Sequence, residues 1–196
     1  MKHDVDDNGS IAMLERAGDK SGSGKSDADK AEMMKKMEAA GTPGPAHKAL
    51  DAFVGNWKAE VKSWCEPGGA PHVSQATAKS NWTLNGRFVE GEFHGEMVGR
   101  PFTGRSLLGY DNTKQRFISS WVSDIQTSMF TSEGKGDSGY KVFMLEGKGD
   151  CPATGRKDVP IKQVFRVVSP DKYTFEMFDG STGESVRTME ITYTRK

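Results

Sequence analysis

The chain has 196 residues, and its 27 Lys plus Arg balance 27 Asp plus Glu. A balanced chain carries no electrostatic footprint for nucleic acid or an anionic membrane surface, and this length is enough for one domain with a sizeable core. Hydrophobic residues are 35%, a low figure diluted by a polar N-terminal stretch, and no apolar run is long enough to span a bilayer as a helix.

Residues 1–25 are predicted to be disordered, because Gly, Ser, Asp and Lys dominate and Gly18 to Gly24 has linker composition. Gly24-Lys25-Ser26 looks like the end of a phosphate-binding loop. However, Asp19 stands where that loop needs its first glycine, and no buried strand precedes it. Met1 to Ser10 is acidic and lacks the apolar stretch of a secretory leader. The expected location is therefore cytoplasmic, or periplasmic or secreted if a leader has been trimmed.

Residues 26–44 are predicted to be a helix and a linker. Ser26 or Asp27 can cap the helix, Ala28 to Ala40 form its body, and Gly41 stops it. Met33, Met34, Met37 and Ala40 share one face at helical spacing, which reads as a docking face. Gly41-Thr42-Pro43-Gly44-Pro45 breaks the chain. A second short helix then starts at Pro45, whose fixed φ suits a first turn. Its Leu50, Phe53 and Val54 are expected to plug one end of a barrel.

Residues 45–196 make the main domain. From Trp57 the pattern changes to period two, predicting strands at 57–64, 74–84, 88–98, 102–110, 115–123, 126–133, 140–147, 159–168, 172–178 and 185–195. Turn signals such as Asn85-Gly86, Asp111-Asn112 and Ser169-Pro170-Asp171 separate them. Short connections and no intervening helix predict an all-β, up-and-down antiparallel barrel of about ten strands.

Alternation gives a lumen list. It includes Ala76, Ala78, Trp82 and Leu84 from the second strand, and Phe117, Ser119 and Trp121 from the fifth. The late strands add Gln163, Phe165, Phe175, Met177, Arg187, Met189, Ile191 and Tyr193. On the third strand Glu90, Glu92, His94 and Glu96 share one face, opposite Val89, Phe93 and Met97. Patterning turns the acidic face to water, with Glu92 the best exception, a carboxylate that a bent strand could turn inward. The expected ligand-binding residues are therefore Trp82, Glu92, Trp121, Gln163, Phe165, Phe175, Arg187 and Tyr193. Arg195, on the last strand, either lies over Trp57 of the first and seals that end, or is solvated at a frayed terminus.

Motifs for chemistry are sparse. The four histidines are His3, His47, His72 and His94, and only His94 lies within a predicted strand. There is no nucleophile constellation and no metal-ligand spacing. No cofactor and no metal are expected, and the lack of a late-strand histidine argues against haem.

Several segments in order resemble a bacterial family, the domain of unknown function 1579. They include Met37-Glu38-Ala39-Ala40-Gly41-Thr42-Pro43-Gly44, Gly55-Asn56-Trp57, Glu92-Phe93-His94-Gly95, Gly109-Tyr110-Asp111 and Met189-Glu190-Ile191-Thr192-Tyr193-Thr194-Arg195-Lys196. The resemblance runs from about Ala31 to Lys196. Gly55-Asn56-Trp57 after a short helical segment is also similar to the way lipocalin-like barrels begin. The resemblance implies a calycin-like barrel and carries no activity with it.

The expected function is binding of an apolar or amphipathic small molecule in the lumen, with no nucleic-acid or membrane partner and a homodimer left open. The alternatives are an enzyme using Glu92, His94 and Arg187 as acid–base groups, and a filled barrel serving protein association. Cys65 and Cys151 lie in odd-numbered connections, at the same end of a meander, so a disulfide is topologically allowed; a reducing cytosol would keep two thiols.

Overall fold

The computed structural model describes residues 26–64, 66, 68–97, 99–151, 154–181 and 186–196. The expectation for residues 1–25 and the Cys65 half of the disulfide question lie outside the described residues. The chain divides into two units, one ending at Glu38 and one starting at Ala39.

In the first unit, helix α1 (Asp27–Gly41, continuing just past the boundary) begins with a reciprocal cap. The Asp29 N–H donates to Ser26 Oγ at 3.2 Å, and the Ser26 N–H donates to the Asp29 carboxylate at 3.0 Å. Two orphan amide donors are thereby satisfied. Met33, Met34 and Met37 are exposed.

In the second unit, α2 (Pro45–Lys48) and a 3-10 turn (Ala49–Phe53) precede ten strands. These are β1 (Gly55–Ser63), β2 (His72–Thr83), β3 (Phe88–Met97), β4 (Arg100–Asp111) and β5 (Arg116–Ser123). They continue as β6 (Gln126–Gly136), β7 (Val142–Cys151), β8 (Arg156–Ser169), β9 (Lys172–Asp179) and β10 (Val186–Arg195). Each strand pairs with its sequence neighbours, and β10 returns to β1, closing an antiparallel barrel. The expected all-β meander is what forms, and closure gives every strand a neighbour on both sides.

The stoppered end is built by the turn preceding β1. Leu50 is fully buried and Phe53 nearly so. The Phe53 ring meets Phe143, Phe165 and Tyr173 edge-on, with centroids 5.1–5.6 Å apart. Trp57, Val89, Phe117 and Leu145 complete this cluster. Burying each such side chain contributes roughly 1.5–3 kcal/mol, so the stopper and the barrel wall form one core. A second cluster of Ala59, Ala76, Phe93 and Ile191 lies among the inward residues beyond it.

Where the chain turns, the sequence reading needs one correction. Leu84, expected inward, comes just after the end of β2 with φ 49°, beside Asn85 at 55°. Two successive positive φ values make a hairpin turn, so Leu84 leaves the strand and is exposed.

Candidate functional site

Residues paired directly across antiparallel strands point to the same face, so register assigns the lumen. One inward row runs Ser80–Gly91–Ser106–Trp121–Phe130 across β2 to β6. A second runs Leu108–Ser119–Ser132–Gly147–Ile161 across β4 to β8. A third runs Leu145–Gln163–Met177–Met189 across β7 to β10.

These rows bring small and polar residues together where a solid barrel core would carry bulky aliphatic side chains. Ser80, Ser132 and Gln163 are all buried. The Ser132 hydroxyl donates to Gln163 Oε1 at 2.8 Å. The Ser123 hydroxyl is buried and has no hydrogen-bond partner among the described residues. Opposite this polar stretch stand Phe175, Ile191 and Ala59, on the β9–β10–β1 side. Trp121 lies over Gly104, where an added Cβ would collide with its ring. It also meets Phe93 at 6.1 Å between centroids.

Trp121, Gln163 and Phe175 therefore face the lumen as expected. Trp82, Phe165 and Tyr193 also point inward but belong to the stoppered end. The Trp82 indole N–H donates to the Asp51 carboxylate at 2.8 Å. Tyr193 stacks on Tyr173 with centroids 4.2 Å apart. Burial pushes both tyrosine hydroxyls above their ordinary pKa, so both are neutral.

Glu92 and Arg187 are elsewhere. Glu92 stays on the outer face, accepting from Arg105 Nη2 at 3.0 Å and facing His94 Nε2 at 2.7 Å. The strand does not bend enough to turn this carboxylate inward: Phe93 and Gly91, its neighbours, are the buried ones. Arg187 is moved outward by a register shift between Arg187 and Met189. Such a bulge inserts one unpaired residue and reverses the parity beyond it. The guanidinium then lies 4.7 Å from the Trp64 ring centroid, 2.6 Å from Glu190 and 3.3 Å from Glu176. Glu92, His94 and Arg187 are thus not assembled as one acid–base group. No cluster of three or more metal-ligating side chains occurs among the described residues.

Concavities among the described residues also lie outside the lumen. One of about 500 Å³ runs over the outer side of β4 to β7, between Leu107, Ile118, Lys114, Glu133 and Glu146. Another of about 350 Å³ sits beside α2 at the turn before β7, against Pro45, Lys48, Tyr140 and Lys141. Both are open, and their charged rims are solvated. Neither gathers buried, unspent hydrogen-bonding groups as the lumen does.

Sequence reasoning missed Ser132 as the partner of Gln163. The alternation of β6 places it inward with Phe130, but only the β6–β7–β8 register brings it to Gln163.

A closed ten-stranded meander, stoppered at one end by a short helical segment, defines an up-and-down antiparallel β-barrel. The model of the family described as "Protein of unknown function (DUF1579)" matches residues 42–195, and the chain belongs to that family. Its fold is similar to that of Rv2717c from M. tuberculosis, at 14% identity and TM-score 0.56, covering 79% of this chain and 99% of that one. A looser likeness is to the S-type phycobiliprotein lyase CPES from Guillardia theta, at 12% identity and TM-score 0.49, covering 82% and 96% of the two chains. No curated protein matches the chain. Among the described residues no helix is long and apolar enough to cross a membrane.

Proposed function

We propose that this protein binds a small apolar or amphipathic molecule in the barrel lumen, beyond the stoppered end. The observation that carries this reading is the buried Ser132–Gln163 pair beside Met177, on the same inward face as Trp121 and Phe175. A barrel that only needed a core would gain more from aliphatic residues at these positions, since buried polar groups cost free energy unless fully bonded. Trp121, Gln163 and Phe175 contact the ligand in this reading, while Trp82, Phe165 and Tyr193 support the floor.

The test is titration of the full chain with Nile red, a neutral dye that brightens in apolar surroundings, while Trp emission is followed. Saturable binding that alters Trp emission and weakens in Trp121→Ser supports the lumen site. Binding insensitive to Trp121, or no binding, leaves a filled barrel whose role is protein association. Native mass spectrometry of gently purified protein would then show a dimer or partner in place of a retained small molecule.

A further inference from the structure

Gln163 has one half of its amide engaged and the other free. Its Oε1 accepts the Ser132 hydroxyl, while its Nε2 donates to no described residue. Yet the side chain is only 7% exposed. A primary amide carries two N–H donors, and Nε2 is not among the fully buried atoms without a partner, so it faces space a small molecule can reach. An acceptor arriving in the lumen would pair with it.

The rest of the lining restricts what can bear the acceptor. The stretches of the three inward rows named above contain no Asp, Glu, Lys, Arg or His; the Ser132 row reaches Asp179 only at β9 and the Gln163 row reaches His72 only at β2. Among the described residues, the charged groups of inward parity lie toward the two ends of the barrel, where Arg100 and His72 are exposed to solvent. At the stoppered end Arg195 binds the Pro170 carbonyl at 2.9 Å and Asp171 at 3.1 Å. At the other end Asp179 is held by Arg156 and Ser181. The remaining nearby cations point outward, Arg105 to Glu92 and Arg166 to Glu176. A ligand carboxylate held beside Gln163 would meet no counter-charge in these rows and would retain most of its desolvation penalty.

We propose that the lumen selects a neutral, mostly apolar molecule bearing a hydrogen-bond acceptor, which the Gln163 amide recognises, and discriminates against carboxylates. This rests on the lumen-binding reading above.

The experiment displaces Nile red from the full chain with decanamide and with decanoate, which share a tail and differ in head-group charge. Near neutral pH, decanamide is expected to displace the dye at a concentration at least about tenfold lower than decanoate. The gap closes at about pH 4, where a carboxylic acid is largely neutral. Gln163→Met keeps the volume but removes the amide, and is expected to weaken decanamide several-fold in a direct titration, with cooperative urea unfolding showing that the variant is folded. Equal displacement by decanoate near neutral pH, or decanamide binding indifferent to Gln163→Met, overturns the ligand class while leaving the lumen reading standing. Dye that does not bind, or that leaves Trp emission unchanged, removes the lumen reading itself. The comparison of the two displacers on the unaltered chain needs no variant to fold.

Discussion

Arg195, on the last strand, lies across the indole of Trp57 on the first, its guanidinium carbon 4.2 Å from the ring centroid. The two are direct cross-strand partners where β10 closes on β1. The guanidinium also donates to the Val54 carbonyl at 3.0 Å and to the Pro170 carbonyl at 2.9 Å. The Trp57 indole N–H in turn donates to the Phe53 carbonyl at 3.0 Å. Barrel closure, helical stopper and the β8–β9 turn are thus tied at one point. A cation over an aromatic face contributes about 0.5–2 kcal/mol, and hydrogen bonds from a charged group about 1.5–3 kcal/mol each before screening. Arg195→Ala is expected to cost about 2–3 kcal/mol of unfolding free energy in urea. Arg195→Lys is expected to recover only part, because an ammonium lacks the planar fork. An unchanged denaturation midpoint would refute the seal.

His47 should make stability fall on mild acidification. It is buried, and its Nδ1 accepts the Gly44 N–H at 3.1 Å, which requires an unprotonated nitrogen there. Desolvation is the main cause of its lowered pKa, and Arg87 adds repulsion, against a raising hydrogen bond to the Tyr110 backbone. The unfolded chain therefore takes up the proton first as pH falls. The contribution is fully present above the ordinary histidine value of about 6.5 and is lost as pH drops through the lowered folded value. Unfolding free energy measured across this range should decline in the natural chain. His47→Gln should flatten that part of the profile.

The Ser132–Gln163 pair calls for a double-mutant cycle. Ser132→Ala strands Gln163 Oε1 and is expected to cost about 1–2 kcal/mol. Gln163→Met in the Ser132→Ala background should cost less than the same change in the natural chain, because no amide remains to be left unpaired. Additive costs would show that the two side chains are not coupled in the folded protein.

Gly104 is predicted to be intolerant. A Cβ there meets the Trp121 ring, so Gly104→Ala must displace the indole. Overpacking of this kind costs about 1–3 kcal/mol, and dye binding should weaken with it. Unaltered Trp emission in the variant would show that the ring does not occupy that space.

Arg187→Ala separates the two parities of β10. With the guanidinium outside, against Trp64, Glu176 and Glu190, dye affinity should not change. Stability should fall by no more than about 1 kcal/mol, since the ion pairs are partly solvated. A clear loss of dye binding would place Arg187 in the lumen after all.

Much of this architecture is legible along the chain because its causes are local. Period-two alternation marks each strand and its apolar face, and short Gly, Asn and Pro turns force successive strands to pair, which yields the meander from β1 to β10. Trp121, Gln163 and Phe175 face inward for that reason, as does the Val89–Phe93 face of β3. What alternation cannot carry is anything that interrupts parity or joins distant strands. The shift between Arg187 and Met189 reverses a side chain without altering the pattern of letters around it. Leu84 looks like one more strand residue until the turn takes its backbone to positive φ. Glu92, by contrast, follows the alternation and stays outside, where Arg105 and His94 meet it. Ser132 and Gln163, 31 residues apart, become partners only through the register of three strands. Face is a property of one strand's backbone, whereas contact depends on how many strands are hydrogen-bonded and at what offset, and only the closed barrel decides that.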